Sequence, residues 1–347
     1  MVNRICTVTT LKAPLEQTLD FVNYHLNIGV DHMFLFFDDP QDPVIKKLRE
    51  YKKVTCFKCD EEHWKKRISK KDIKNIQKRK MISSYNSKYL GQKQSDSDLS
   101  LDEKQQLNSN FALKLTKKNN FRFIIHLDSD ELIYLQKKSL KKSLKKIPKN
   151  IDFIRLLPLE AVPEKHNHKN PFREITLFKN FGIIARFYYP YKKNLLKTFS
   201  FLRKREGTLR NIYFKGHAAG KSIVRINNKI SELGMHEPIP KKNSELKEIS
   251  YKNIKLLHFD CKNFENWKQK WIKIHTGETI AIGYNEKNMT FFEKFINAYK
   301  KGDNQKMKAI YAEQYFIPFW KKTLLRIVGL LVKIKIPQKL FKKNWDE

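Results

Sequence analysis

Two aspartates separated by one serine, Asp128 and Asp130, with Glu131 beside them, follow the apolar run Phe121-Arg122-Phe123-Ile124-Ile125-His126-Leu127. Three acids at the end of a buried segment call for a cation, because clustered carboxylates repel one another and are costly to desolvate. Oxygen ligands alone suit Mg2+ or Mn2+, which bind one or two carboxylates together with a phosphate-bearing substrate. The plainer use of the same residues is a capped turn with a solvated glutamate. The run from Phe121 to Leu127 has the length and the β-branched and aromatic content of a buried strand. Asp128 then emerges at its carboxyl end, where open α/β sheets bind ligands.

The elements that must position these acids are readable from periodicity. Ile5 to Thr9 is a strand, Leu15 to Leu26 a helix with Leu15, Leu19, Val22 and Leu26 on one face, and Asn27-Ile28-Gly29 its stop signal. Met33 to Phe37 is a second strand ending in Asp38-Asp39-Pro40, Val44 to Tyr51 is helical, and Lys53 to Phe57 is a third strand. This βαβαβ opening is the nucleotide-binding half of a doubly wound sheet. Glu61 to Leu90 reads as basic and mostly helical, Gly91 to Ser100 as a flexible loop, and Leu101 to Lys118 as a helix with Leu107, Phe111 and Leu115 inward. Seven lysines in Lys137 to Lys149 form a solvated helix face, or a surface for an acidic partner. Ile151 to Pro158 restarts a strand, and an irregular, aromatic-rich stretch runs to about Asn211. A compact block follows, from Lys215 to Arg225 and from Gly234 to Pro238. Leu256 to Phe259 then closes the domain before a tryptophan-bearing helix from Phe264 to Ile274.

The 347 residues contain 40% hydrophobic and 12% aromatic side chains, which excludes a disordered chain, and Lys+Arg 71 against Asp+Glu 36 leaves a net charge of +35. Such a surface attracts nucleic acid, an anionic membrane face or acidic substrates, and does not choose among them. Cys6, Cys56, Cys59 and Cys261 do not form the dense pattern of a secreted disulfide scaffold, so a reducing cytosol is expected. Cys56 and Cys59 make a lone C-x-x-C without the second pair a zinc site needs. The first residues enter a strand without an apolar signal region, and no run of about 18 apolar residues predicts a transmembrane helix. The tail from Phe316 to Trp345 mixes Phe, Trp, Leu, Ile and Val with Lys321, Lys322, Arg326, Lys333 and Lys335. That pattern suits a helix lying on an anionic leaflet; the alternative packs Leu324, Ile327 and Leu331 on the core.

In order along the chain, these landmarks resemble glycosyltransferase family 2, in the branch near family 92 with a short GT-A domain. The resemblance runs through the tract from Asp20 to Phe36, which carries Tyr24-His25 and Gly29-Val30-Asp31, then Asp38-Asp39 and His126 to Leu132. It continues through Lys221-Ser222-Ile223-Val224-Arg225 and His236-Glu237-Pro238, and covers roughly residues 3 to 275. Leu11-Lys12-Ala13-Pro14 stands where many relatives place Asn-Glu, and Asp-Asp-Pro replaces a longer acidic loop. The resemblance implies a GT-A-type α/β fold with a mixed, mostly parallel sheet flanked by helices. Residues 1–275 form that domain, with 1–135 the nucleotide-binding half and 136–275 the acceptor half, and 276–347 form a basic helical extension.

The activity so implied is transfer of a sugar from a nucleotide-sugar to a glycan or lipid-linked acceptor, in lipopolysaccharide or another cell-surface polysaccharide, peripherally on the cytoplasmic face of the membrane. A divalent ion held by Asp128 and Asp130 would stabilise the departing diphosphate, with Lys221 and Arg225 assisting. Asp38 or Asp39 would accept hydrogen bonds from base or ribose, and Thr9 and Thr10 would line the same pocket. His236 or His258 would be a further metal ligand. For an inverting reaction the base is Glu237, with Glu160 and Asp260 as alternatives. The rival functions are a metal-dependent nucleic-acid enzyme and a non-catalytic polyanion- or membrane-binding module. Nucleic-acid recognition is not expected, since no helix-turn-helix, RNP-like or zinc-finger pattern is present and the second-strand aspartates have no role in it.

Overall fold

Near-continuous apolar runs, buried on both faces, form parallel strands in this protein. The computed structural model describes residues 4–68, 99, 101–136, 139–180, 220–260, 262–276, 286–327 and 329–344. β1 (Ile5–Leu11), β2 (His32–Phe37), β3 (Val54–Lys58) and β4 (Phe123–His126) lie in the order β3-β2-β1-β4, all parallel. Helix α1 (Leu15–Asn27) connects β1 to β2, α2 (Val44–Leu48) connects β2 to β3, and α3 (Glu61–Lys65) follows β3. Helix α4 (Leu101–Lys118) feeds β4. Chain order then runs β5 (Glu131–Leu135), α5 (Leu140–Lys145), β6 (Phe153–Ala161), α6 (Pro171–Glu174), β7 (Leu177–Asn180), β8 (Lys221–Arg225), β9 (Ile230–Leu233), β10 (Pro238–Pro240) and β11 (Glu248–His258).

Beyond β4 the sheet is mixed. β8 runs antiparallel between β4 and β6, and β11 lies parallel along the other side of β6. β5 is antiparallel to β11. One edge of the sheet therefore collects the carboxyl ends of β1, β2, β4, β6 and β11 together with the amino ends of β5 and β8. Residues far apart in sequence meet there because β5 and β8 run against their neighbours.

Two faces of the sheet carry separate cores. One packs α1 through Phe21, Val22 and Leu26 against Ile5, Leu35, Ile125 and Leu132, and the other packs α4 through Ala112 and Leu113 against Cys6, Val8 and Ile124. The expected inward face of α4 is rotated. Leu107, Phe111 and Leu115 are half-buried, whereas Gln105, Asn108, Ser109 and Thr116 are buried, because this helix covers the polar end of the sheet and the β9–β10 ribbon. Leu15 of α1 is exposed, and Asp20 and His25 are buried instead, since α1 is covered on several sides.

After β11, α7 (Phe264–Thr276), α8 (Glu286–Lys300) and α9 (Asn304–Tyr315) bury Trp267, Trp271, Phe295 and Tyr311 in a third cluster. The tail is not the single helix the sequence predicts. It forms α10 (Phe319–Ile327), turns at Gly329 with φ +70°, adds β12 (Leu331–Lys333) antiparallel to β7, and ends in a 3-10 turn, Gln338–Phe341, seated on α1. Leu331 is buried, but Leu324 and Ile327 face solvent. No helix among the described residues is long and apolar enough to cross a membrane. The basic segment 69–98, the aromatic stretch 181–219, Cys261 and Trp345 lie outside the described residues.

Candidate functional site

The acids after β4 sit in a turn that closes on itself. The Asp128 N–H donates to Glu131 Oε2 at 2.8 Å, and the Glu131 N–H donates to the Asp128 carbonyl at 3.1 Å. Gln17 at the start of α1 donates to the Ser129 carbonyl at 3.3 Å, and the Phe259 N–H, just after β11, donates to the Asp130 carbonyl at 2.9 Å. Helix α1 and the end of β11 thus hold one turn at the sheet edge.

Asp128 is bound by two donors. Lys221 Nζ, at the start of β8, lies 2.8 Å from Oδ2, and Gln105 Nε2 donates to Oδ1 at 3.0 Å. The Lys221 side chain is only 1% exposed; it also donates to the Met235 carbonyl at 3.2 Å and stands 3.7 Å from Glu131 Oε2. Burial opposes ionisation of Asp128, but the Lys221 ammonium outweighs it and holds the carboxyl well below its ordinary value. Burial likewise opposes the charge on Lys221, and Asp128 and Glu131 overcome it, raising that ammonium above the usual lysine value. Burial raises both Asp130 and Glu131; His258 works against the shift at Asp130 and Asp260 adds to it.

Asp130 has different company. Its Oδ2 faces His258 Nε2 at 3.7 Å, and its side chain is 30% exposed. Among the described residues no group of three or more His, Cys, Asp or Glu side chains is placed to hold a metal ion, so a cage built from protein alone does not fit. A divalent ion shared with phosphates needs only one or two protein carboxylates, and Asp130 with His258 fits that requirement. His236 is held elsewhere: its Nδ1 meets the Gly220 carbonyl at 2.7 Å, and its own carbonyl accepts from Ser222 Oγ at 2.5 Å. His126 lies under the cluster, and burial lowers it to about 3, so its ring is neutral.

At the β1–β2 end, Asp38 pairs with Lys104 of α4 at 2.7 Å, and Thr10 Oγ1 accepts from Asn108 Nδ2 at 3.1 Å. Asp39 is exposed and caps its own turn, accepting from the Gln41 N–H at 2.9 Å. Strand alternation turns Thr9 the other way. It is completely buried on the α1 side, away from any open cleft, because Cys6, Val8 and Thr10 share the α4 face.

The remaining candidates are dispersed. Arg225 ends β8 at the opposite edge of the sheet, donating to the Ile151 and Pro148 carbonyls and lying over the Phe123 ring; it and Lys221 stand at the two ends of a five-residue strand. Glu160 is 1% exposed and paired with buried Lys179 at 2.8 Å, which puts it out of reach of an acceptor. Glu237 is exposed but turned onto Arg155, which also grips Glu248. Asp260 pairs with Lys270 at 3.2 Å and follows directly on the Phe259 contact to the Asp130 turn. The structure brings together Asp128, Asp130, Lys221, His258 and Asp260, and adds Lys104, Gln105 and Gln17. The sequence reading missed these last three. Their signal is weak: amide and amine side chains on helix turns that open toward a ligand edge.

No protein-family model matches the chain. Two Arabidopsis thaliana proteins called glycosyltransferase-like are similar to it. At2g41451 is 29% identical over 254 residues, 67% of this chain and 48% of that protein. At3g57200 is 27% identical over 270 residues, 76% of this chain and 48% of that protein. The chain spans about half the length of the curated relatives it matches. Among solved structures, core-mannan synthase A from Aspergillus fumigatus in its Mn/GDP form aligns with a TM-score of 0.31 and 12% identity, over 46% of this chain and 44% of that one. The 4-diphosphocytidyl-2C-methyl-D-erythritol synthase of Anaerococcus prevotii aligns at 0.26 and 12%, over 73% and 90%.

Proposed function

We propose that this protein is a glycosyltransferase that moves a sugar from a nucleotide-sugar to a hydroxyl of a glycan or lipid-linked acceptor. The observation that carries the reading is the convergence of the Asp128–Glu131 turn, Lys221, His258 and the Asp38–Lys104 pair on one edge of a mixed α/β sheet, in a chain similar to glycosyltransferase-like proteins. Asp38 and Lys104, partly exposed, form the nucleotide end, with a carboxylate and an ammonium suited to ribose and base, while Thr10 and Asn108 are buried and bonded to each other. The diphosphate lies toward Asp130 and His258. These two residues would hold an Mn2+ or Mg2+ ion, whose chemistry is to neutralise charge on the departing phosphate. In a single displacement the acceptor oxygen bonds to the anomeric carbon as the bond to the diphosphate breaks, and a carboxylate takes the acceptor proton. Asp260 is the candidate base best supported, by its place beside the Asp130 turn.

The same reading places the enzyme on an anionic membrane surface, on the cytoplasmic side, where lipid-linked precursors of cell-surface polysaccharides such as lipopolysaccharide are met. Support comes from α10, whose Phe319, Trp320, Leu324 and Ile327 are all exposed and flanked by Lys321 and Arg326.

The test is a panel of nucleotide-sugars incubated with the full chain, reading release of nucleoside diphosphate. Release by the wild type that falls at least a hundredfold in Asp130→Asn is expected; equal release by both removes the proposal.

A further inference from the structure

Lys221 is buried beside acids at the ligand edge of the sheet. Its ammonium lies beneath the Asp128–Glu131 turn and pairs with Asp128. Its donors meet Asp128 Oδ2, the Met235 carbonyl and, farther off, Glu131 Oε2, while Gln105 occupies the other oxygen of Asp128. The backbone enforces this placement. Gly220, immediately before it, has φ +66°, and a Cβ there would stand 2.0 Å from the Leu156 carbonyl oxygen. The Gly220 carbonyl in turn receives His236, so Lys221 begins its strand from a position that only glycine can precede.

Both oxygens of Asp128 therefore already accept N–H groups, and one donor carries a full positive charge. A divalent ion brought to Asp128 would have to displace Gln105 and stand against the ammonium. Asp130, one residue outside this arrangement, faces the imidazole of His258 and keeps part of its surface open.

We propose that Lys221 is a positioning residue, the resident cation of Asp128. It keeps Asp128 out of the coordination of a divalent ion and leaves Asp130, opposite His258, as the carboxylate that binds an Mn2+ or Mg2+ ion shared with a nucleoside diphosphate. The inference rests on the glycosyl-transfer reading, which supplies the diphosphate. The two aspartates then differ in kind: Asp128 shapes the turn, and Asp130 holds the ion.

The experiment titrates Mn2+ into the 347-residue chain with UDP, GDP, CDP or ADP present, following free Mn2+ by electron paramagnetic resonance, and measures nucleotide binding by calorimetry with Mn2+ and with EDTA. Asp130→Asn is expected to weaken Mn2+ binding at least tenfold, whereas Asp128→Asn stays within threefold of wild type. Lys221→Met, which releases a second carboxylate, is expected to tighten Mn2+ binding at least threefold. Because this variant leaves buried acids without their partner and can fail to fold, the contrast between the two asparagine variants decides independently. Equal losses in Asp128→Asn and Asp130→Asn overturn the proposal. So does a folded Lys221→Met that binds Mn2+ no more tightly than wild type, or a nucleotide bound with no uptake of Mn2+. A wild type that binds none of the four nucleotides under either condition removes the glycosyl-transfer reading itself.

Discussion

Gln105 holds one oxygen of Asp128 from a helix face that is buried yet polar, and its amide has no apolar substitute. A hydrogen bond to a charged group is worth about 1.5–3 kcal/mol, so Gln105→Ala is expected to lower nucleotide-sugar turnover by about ten- to a hundredfold, measured as kcat/KM for diphosphate release. Gln105→Glu, which sets an acid against an acid, is expected to lower it further. Gly220 is the other residue on which the site's geometry hangs. Placing alanine at its left-handed backbone costs about 1–3 kcal/mol before the contact with the Leu156 carbonyl is counted. Gly220→Ala should therefore lower the melting temperature and the turnover together, whereas a change at solvent-exposed Gly302, where a Cβ meets nothing, should affect only the former.

Helix α1 is the element that ties the two halves of the sheet together. Asp20 accepts both Arg173 Nε and Nη2 at 2.6 Å and Asn170 Nδ2 at 2.7 Å, clamping α1 to the turn around α6. Asp20→Ala is expected to cost about 2 kcal/mol in denaturant unfolding, a charge-assisted contact discounted for the partly exposed guanidinium. His25, on the same helix, donates from Nδ1 to the Phe21 carbonyl at 2.8 Å and accepts the Ile133 N–H at Nε2 at 3.3 Å, joining α1 to β5 as a neutral ring. Burial lowers His25 to about 3, as it does His126. Both folded values lie below the ordinary histidine value, so between about pH 6.5 and 3 the unfolded chain binds protons that the folded chain does not. Stability should fall with decreasing pH across that window, by at most about 1.4 kcal/mol per pH unit for each ring, visible as a drop in melting temperature between pH 7.5 and 5.

For the whole molecule, charge and tail act together. On the proposed reading, a net charge of +35 would draw the protein to anionic surfaces, and the exposed apolar residues of α10 would favour a bilayer over other polyanions. Replacing Phe319 and Trp320 together by serine should abolish sedimentation with vesicles of anionic lipid at 0.15 M salt without changing the melting temperature, because both side chains are exposed. The last turn behaves in the opposite way. Phe341 is buried against Tyr24, and Asn23 and Asn27 of α1 donate to carbonyls of residues 340–342. Phe341→Ala should cost about 3 kcal/mol, so the end of the chain is a structural strap across the first half of the sheet.

The amino-acid order alone is enough to read the strands and helices whose apolar periodicity is local, the βαβαβ opening and the emergence of Asp128 and Asp130 at the end of β4. Those features depend on neighbours within a few residues. It did not show the buried polar face of α4, because Gln105 and Asn108 carry no apolar signal, nor the path of the tail back across α1. Which acids are already engaged follows from the packed fold. Lys221 meets Asp128 because β8 runs antiparallel to β4, a direction and register that spacing along the chain does not encode. The same reversal carries Arg225 to the far edge, and burial beside Lys179 withdraws Glu160. A carboxylate's availability is set by the charge and solvent around it, and these come from strands distant in sequence.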